Sequence, residues 1–97
     1  MNMTIQEDQW VWVVVQDPGG NEQFLGQRDD TEGISFIPIW RDKEAAAACL
    51  ELLVRDKAVK YEVQAIEYKH LAPKAAEADF KLFLLDASGK VLEQIAP

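Results

Sequence analysis

The stretch WVWVVV at residues 10–15 decides the fold, because it combines the β-branched and aromatic side chains that are typical of a strand. A strand with one face in water alternates apolar and polar residues. This stretch does not alternate, and both of its faces are apolar: Trp10, Trp12 and Val14 on one, Val11, Val13 and Val15 on the other. The pattern therefore predicts a strand that needs cover on both sides.

Two more strands are predicted before the first helix. A turn rich in proline and glycine at 16–21 leads into a weaker strand at 23–28, in which Gly26 indicates a bulge or a close approach. A further strand follows at 34–40, with the sequence ISFIPIW. Its Pro38 has no N–H to donate, so this strand is expected to lie at an edge or to break its pairing at that residue.

The main helix is predicted to begin after Asp42, a suitable N-cap residue, and to end near Arg55. Its apolar residues at helical spacing are Ala45, Ala48, Cys49, Leu52 and Leu53. A half-buried strand with regular alternation is predicted at 59–68. A short second helix is predicted at 70–79, with Pro73 in its first turn.

The chain closes with a hairpin, in which strands 81–85 and 91–95 flank a turn with Gly89 in the left-handed position. The order β-β-β-α-β-α-β-β predicts an α+β fold, with a mostly antiparallel sheet of about five or six strands, one main helix and one short helix. The length of 97 residues fits one domain, predicted at 9–97 after a mobile N-terminal leader at 1–8.

Three segments carry a resemblance to a known group of proteins: VWVVVQDPGG at 11–20, FIPIWRDKEAAAACLELL at 36–53 and LFLLDASGKVL at 82–92. Together they resemble the N-terminal domain of SseB-type bacterial proteins and related small bacterial domains of unknown function. The resemblance implies an α+β fold and a bacterial cytoplasmic setting. It brings no catalytic residues onto this sequence.

The charge is acidic and unevenly distributed. The net charge is −7, which argues against nucleic acid and anionic membranes as partners. Seven acidic residues lie between Glu7 and Glu32, against Arg28 alone. This region is interpreted either as a solvated surface or as a docking surface for a basic partner. No secretory signal is recognisable at the N-terminus, and a soluble cytoplasmic protein is expected.

Residues that could carry chemistry are few and scattered. Glu67 and His70 have the spacing of two metal ligands on a helix, but no second copy completes a site. Cys49, the single cysteine, falls on the apolar face of the main helix, where a thiolate is disfavoured. The acidic loop at 29–33 lacks the ligand spacing of an EF-hand. We therefore predict no catalytic residue, cofactor or metal site, and we do not expect an enzyme.

The apolar strands raise the question of what covers them. A helix of about 14 residues is ~20 Å long, whereas six strands at ~4.8 Å spacing approach 30 Å. In one explanation the two helices lie on opposite faces, or the twisted sheet folds over itself. In the other, an open face packs against a second copy or a partner, with Trp10, Trp12 and Phe83 as interface residues.

Two functions remain in view at this point. The first is a small non-catalytic interaction module that self-associates or docks a partner through an apolar sheet face. The alternative is a small-molecule-binding or regulatory domain that acts with a partner chain. The alternative predicts a pocket with convergent polar groups near His70 or near the acidic loop at 29–33.

Overall fold

The computed structural model describes residues 5–6, 8–53, 56 and 59–95, and it has an α+β fold. Its elements, in chain order, are β1 (Trp10–Gln16), β2 (Gln23–Phe24), β3 (Gln27–Asp29), β4 (Ile34–Ile39), α1 (Lys43–Leu50), β5 (Tyr61–Glu67), α2 (Tyr68–Glu77), β6 (Lys81–Leu85) and β7 (Val91–Ile95). The predicted order is confirmed. The weak strand predicted at 23–28 is divided into β2 and β3, and the division falls at Leu25 and Gly26.

The strands form two sheets that meet at a pair of tryptophans. One sheet has the order β2-β1-β5 and is antiparallel; the other has the order β3-β4-β6-β7, in which β4 and β6 run parallel. Trp12 and Trp40 exchange backbone hydrogen bonds, with N–H to O distances of 2.8 and 3.0 Å. Because of this bridge, α1 and α2 pack against surfaces to which both sheets contribute.

Pro38 lies inside the second sheet rather than at its edge, and pairing is interrupted beside it. On one side Pro38 is opposite Phe83 of β6. On the other side the last residue of β4 paired with β3 is Phe36, and the bridge to β1 comes at Trp40. The absent N–H of proline is therefore accommodated where β4 lacks a ladder partner among the described residues. This is the second of the two arrangements that the sequence predicted.

The two helices lie on opposite faces, so the need for cover on both sides of β1 is confirmed. On the α2 face the buried side chains are mainly aliphatic: Ile5, Val11, Val13, Val15, Ile37, Ile39, Leu71, Ala75, Leu82 and Leu84. On the α1 face they include the large aromatics: Val14, Leu25, Trp40, Ala46, Cys49, Phe83 and Leu85. Alternate residues of β1 and β6 thus enter different cores, as the strand period of two requires.

Helix α1 is capped as predicted but is shorter and rotated. The Asp42 carboxylate accepts the N–H of Ala45 at 2.8 Å. Ala46 and Cys49 are buried, whereas Ala48 and Leu52 of the predicted apolar face are exposed. The helix ends at Leu50. Beyond it the backbone N–H groups donate to carbonyls three residues back instead of four, as the Leu52 N–H does to the Cys49 carbonyl at 2.8 Å. The predicted end near Arg55 falls outside the described residues.

Helix α2 follows β5 without a connecting loop. It begins at Tyr68, so Pro73 lies inside the helix and the prediction of a first-turn proline was wrong. The early start is fixed by the Tyr68 N–H, which donates to the Gln9 carbonyl at 2.8 Å and prolongs the β1–β5 ladder into the helix. Among the described residues, no helix is long and apolar enough to cross a membrane.

The predicted leader at 1–8 falls mostly outside the described residues. Ile5 is described, and its side chain is only 4% exposed, within the same core as Val11. This residue therefore packs with the folded domain.

Candidate functional site

The three predicted interface residues lie in different environments. Trp10 is 57% exposed, Trp12 is half-buried, and Phe83 is 2% exposed. The Phe83 ring stacks on Phe36 with a centroid distance of 4.2 Å and an interplanar angle of 12°. Because β6 is an inner strand that α1 covers, Phe83 is not available for a surface contact, whereas Trp10 is.

The third tryptophan, Trp40, is fully buried and was not singled out from the sequence. Its indole N–H donates to the Asp86 carbonyl at 3.3 Å, so the buried polar atom has a partner. In the sequence, Trp40 lies at the end of a strand with apolar residues on both faces and two residues before the N-cap Asp42. This position indicates a core residue.

An apolar surface remains where α1 does not cover the β1–β5 sheet. We call it the Trp10 patch, and it consists of Trp10, Trp12 and Ala65. Ala65 is exposed and lies directly opposite Trp12 in the ladder, so the two side chains share a face. The Lys43 ammonium lies 5.9 Å from the centroid of the Trp12 ring, in the range of a cation–π contact. The first turn of α1 therefore borders the patch at Trp12.

Strand β5 bounds the patch and is an edge strand. It pairs with β1 over seven consecutive positions without a bulge, and no other described strand pairs with it. The Tyr68 N–H bonds the Gln9 carbonyl, and the Asp17 N–H bonds the Lys60 carbonyl. Bonded pairs alternate in an antiparallel ladder, so the even-numbered residues of β5 bond β1. The odd-numbered residues direct their backbone groups outward: Tyr61, Val63, Ala65 and Glu67.

A cleft of about 930 Å³ opens on the α2 side of the molecule. Its floor is apolar, with Phe24, Ile37 and Phe80, and its rim carries polar side chains from β1, the β2–β4 region and α2. The rim residues are Gln16, Gln23, Gln27, Arg28, Asp30, Ser35 and Lys74. Part of this lining, including Phe24 and Lys74, is shared with an adjoining depression of about 400 Å³.

The cleft forms where β1 and β4 separate, and Gly26 permits its floor to close. The strand pairing beside Pro38 is interrupted, and the short β2 and β3 occupy the gap. A Cβ atom at Gly26 would lie 3.0 Å from a carbon of the Phe80 ring, closer than side chains normally approach. Phe80 is placed by the end of α2, where its N–H donates to the Ala75 carbonyl at 2.8 Å.

The charges at the cleft differ from those of the whole chain. The net charge is −7, yet the cleft carries the bases Arg28 and Lys74 and the single acid Asp30. Arg28 and Asp30 form an exposed ion pair at 3.3 Å. In the part of the chain that the structure describes, the Lys74 ammonium forms no ion pair within 4 Å.

The structure does not bring together Cys49, His70 and the acidic loop at 29–33. The Cys49 thiol is buried, and burial raises its pKa, with a smaller opposing effect from its hydrogen bond with Trp40. His70 is exposed at the start of α2, where its Nε2 lies 3.5 Å from the Glu67 carboxylate. His70 does not line the cleft, so of the two predicted pocket positions only the one beside the acidic loop coincides with it, through Asp30.

The acidic loop at 29–33 is organised by its own backbone. The Asp29 carboxylate accepts the N–H of Thr31 at 3.0 Å and that of Glu32 at 3.4 Å. Gly33 has a φ of 67°, in the left-handed region that closes the turn toward β4. Asp29 therefore stabilises the turn.

Comparisons with known protein families, with curated proteins and with solved structures find no match to this chain.

Proposed function

We propose that this chain is a small non-catalytic interaction module that self-associates through the β5 edge and the adjoining Trp10 patch. The observation that carries the proposal is the 57% exposure of Trp10 beside the β5 edge, where α1 leaves the sheet uncovered. Tryptophan is enriched among the residues that dominate binding energy at interfaces. The edge of β5 supplies the backbone groups that a second copy would need.

A two-fold arrangement centred on Gln64 satisfies both features. It pairs two β5 strands antiparallel, so that Val63 lies opposite Ala65 of the second copy and Tyr61 opposite Glu67. These are the residues whose backbone groups point outward, so each can bond its counterpart. Glu62 then lies opposite Ile66, and no two like charges are paired directly. In this arrangement the sheet face that carries Trp10 continues across β5 onto the second copy, at the end of its β5 strand where Tyr61 lies.

The distribution of acids is compatible with this contact. Asp17 and Glu22 lie at the end of β1 that is remote from Trp10, and Asp29, Asp30 and Glu32 lie in and beside the β3–β4 turn. A seven-residue strand spans about 20 Å, which exceeds the Debye length of about 8 Å at physiological salt. In the antiparallel arrangement Asp17 and Glu22 of one copy lie at the opposite end of the contact from those of the second copy, so their mutual repulsion is weak and is reduced further by salt.

The non-catalytic part of the proposal rests on the placement of the reactive groups. Cys49 is buried and its pKa is raised, which disfavours the thiolate. Among the described residues, no group of three histidine, cysteine or acidic side chains is arranged to hold a metal ion. The cytoplasmic setting and the SseB-type resemblance stay predictions, since the comparisons leave both without a match.

Sedimentation equilibrium over micromolar protein concentrations tests the proposal. The wild-type mass should rise from 11.0 kDa toward twice that value. Ala65→Pro removes an outward N–H from an edge strand, where proline is tolerated, and should abolish the rise. Trp10→Ser should weaken association without altering the backbone. Leu92→Ser is the matched control, because Leu92 is also an exposed hydrophobic residue but lies on β7.

The dependence of association on salt concentration distinguishes self-association from docking of a basic partner. Self-association of a chain with net charge −7 should strengthen as salt screens the repulsion, whereas binding of a basic partner at 7–32 should weaken. A wild-type chain that stays at 11.0 kDa throughout would overturn the proposal. So would a dimer that Ala65→Pro and Trp10→Ser leave intact.

A further inference from the structure

We infer that the cleft on the α2 side is a binding site for a small organic carboxylate with a flat apolar body. The inference is independent of the proposed self-association, because the residues that line the cleft include none of β5 and none of the Trp10 patch. It rests on three properties of the cleft: its size and construction, its apolar floor, and its charge.

The size and construction are those of a ligand site. Small-molecule sites typically measure about 300–1,000 Å³ and combine an apolar lining with a few placed polar groups. This cleft has about 930 Å³, and its walls come from β1, the β2–β4 region and α2. It lies where the sheet is discontinuous, so the concavity results from the interrupted pairing beside Pro38 and not from a loop folded over the surface.

The floor selects a flat apolar body. Phe24 and Phe80 are both half-buried, so each has part of its ring open to the cleft. Between them, Ile37 is buried at the bottom. A planar group placed there would remove aromatic surface from water, and an aromatic group would also stack on the Phe24 or Phe80 ring.

The rim selects a carboxylate. Lys74 lies at the mouth without an ion pair among the described residues, and Arg28 is engaged only by the exposed Asp30. The remaining rim groups include the neutral amide of Gln23 and the hydroxyl of Ser35, which can donate to an oxyanion. The Gln16 amide donates to the Gln23 carbonyl oxygen at 3.0 Å, which leaves the amide hydrogens of Gln23 to face a ligand. A carboxylate gains a Coulombic contact with Lys74 that a neutral ligand of the same shape lacks, and a cation would be repelled by it.

Titration with indole-3-acetate, followed by amide chemical shifts, tests the inference. Indole-3-acetamide serves as the neutral probe of the same shape, and the ionic strength is held constant. We expect saturable shifts confined to residues 23–28 and 74–80, with the carboxylate bound more tightly than the amide. Shifts that never saturate, or that cluster at the Trp10 patch instead, would overturn the site.

Lysine variants on α2 isolate the charge. Lys74→Gln should weaken binding of indole-3-acetate roughly two- to fivefold, as expected for an exposed ion pair, and leave indole-3-acetamide unchanged. Lys69→Gln is the matched control, because Lys69 lies on the same helix, pairs with Glu67 at 3.6 Å and does not line the cleft. If wild type and Lys74→Gln bound indole-3-acetate with equal affinity, the proposed recognition of the carboxylate by Lys74 would be wrong. The result for Lys74→Gln stands apart from self-association, since Lys74 is on α2 and forms no ion pair with β5 among the described residues.

Discussion

The two faces of the sheet are built by the same strands but packed by different means. On the α1 face the sheet supplies the bulk, with Trp40 and the stacked Phe83, and the helix supplies the small residues Ala46 and Cys49. On the α2 face the strands supply aliphatic residues, and the helix contributes Leu71 as well as Ala75. Close packing requires that volumes complement one another across a layer. The small side chains of Ala46 and Cys49 are thus the counterpart of a sheet face rich in aromatic rings.

Each helix also leaves a different part of its face uncovered. Helix α1 has eight residues and leaves the Trp10 patch, whose surface is apolar. Helix α2 has ten residues and leaves the cleft, whose rim is polar and carries Lys74. The comparison suggests two separate surfaces, one suited to another strand and one suited to a small anion.

The largest effect is expected from truncation on β6, where neighbouring residues enter opposite cores. Phe83→Ala should lower the free energy of unfolding by about 3–5 kcal/mol, and Leu84→Ala by about 2–5 kcal/mol. Urea unfolding of both variants measures how tightly each face is packed. A loss below about 1 kcal/mol at either residue would mean that its face is not closed as described.

The sequence could predict the presence of these two cores but not their composition. The lack of alternation in residues 10–15 requires cover on both sides, and that requirement is confirmed. The predicted apolar face of α1 was right at Cys49 but wrong at Ala48 and Leu52, because four consecutive alanines at 45–48 carry no periodicity. The rotation of the helix is set instead by the Asp42 cap and by contact with Trp40 and Phe83, so Ala46 is buried and Ala48 is exposed.

The candidate surfaces were predictable to different degrees. Trp10 could be predicted as an interface residue from the apolar pattern of its strand. Which end of the α1 face is open to solvent depends on the length of α1, however, and not on that pattern. The cleft could be expected beside the acidic loop, yet its composition depends on segments far apart in sequence: Gln16, the 23–28 region and Lys74. Pro38 indicated an interrupted ladder in the sequence. Its position in the middle of the sheet could not be predicted, because it results from the parallel pairing of β4 with β6.

A second, smaller effect is expected where each helix approaches the sheet. Ala46 on α1 and Ala75 on α2 are both fully buried. Ala46→Leu and Ala75→Leu should each destabilise the fold by about 1–3 kcal/mol, because added methylenes overpack a closed core. The exposed Ala47 and Ala76 provide matched leucine controls, which should change stability by less than about 0.5 kcal/mol. Equal effects at buried and exposed positions on one helix would show that this helix does not pack closely.

A stabilising change is available at the end of α2. Asp79 follows the helix with a φ of 63°, and the N–H groups of Asp79 and Phe80 bond the carbonyls of Ala76 and Ala75, as in a Schellman motif. Asp79→Gly should raise the free energy of unfolding by about 0.5–1 kcal/mol, because glycine adopts this conformation without strain.

Asp17 is the control for this change. It also has a positive φ, of 55°, but its carboxylate accepts the Asn21 N–H at 3.0 Å. Asp17→Gly loses that hydrogen bond and should gain less, as thermal unfolding of the two variants would show. A larger gain at Asp17 than at Asp79 would contradict the assignment of the helix end.

The smallest effect, absent at neutral pH, comes from one titratable side chain on each face, the buried Cys49 and the half-buried Tyr68. Burial raises the pKa of Cys49 on the α1 face. Burial, and then the charge of Glu93, raise the pKa of Tyr68 on the α2 face. The unfolded chain therefore loses each proton at a lower pH than the folded chain. Stability is fully retained below the unfolded pKa of each group and decreases as pH rises toward its folded pKa.

The two groups can be separated because a thiol ordinarily titrates near pH 8.5 and a phenol near pH 10. Cys49→Ala should flatten the early part of the alkaline loss, and Tyr68→Phe should flatten the later part, in urea unfolding measured at a series of pH values. The double variant should lose both contributions additively, because the groups lie in different cores. A strong interaction between the two variants would show that the faces are coupled through the sheet, and the division into two independently packed cores would then be wrong.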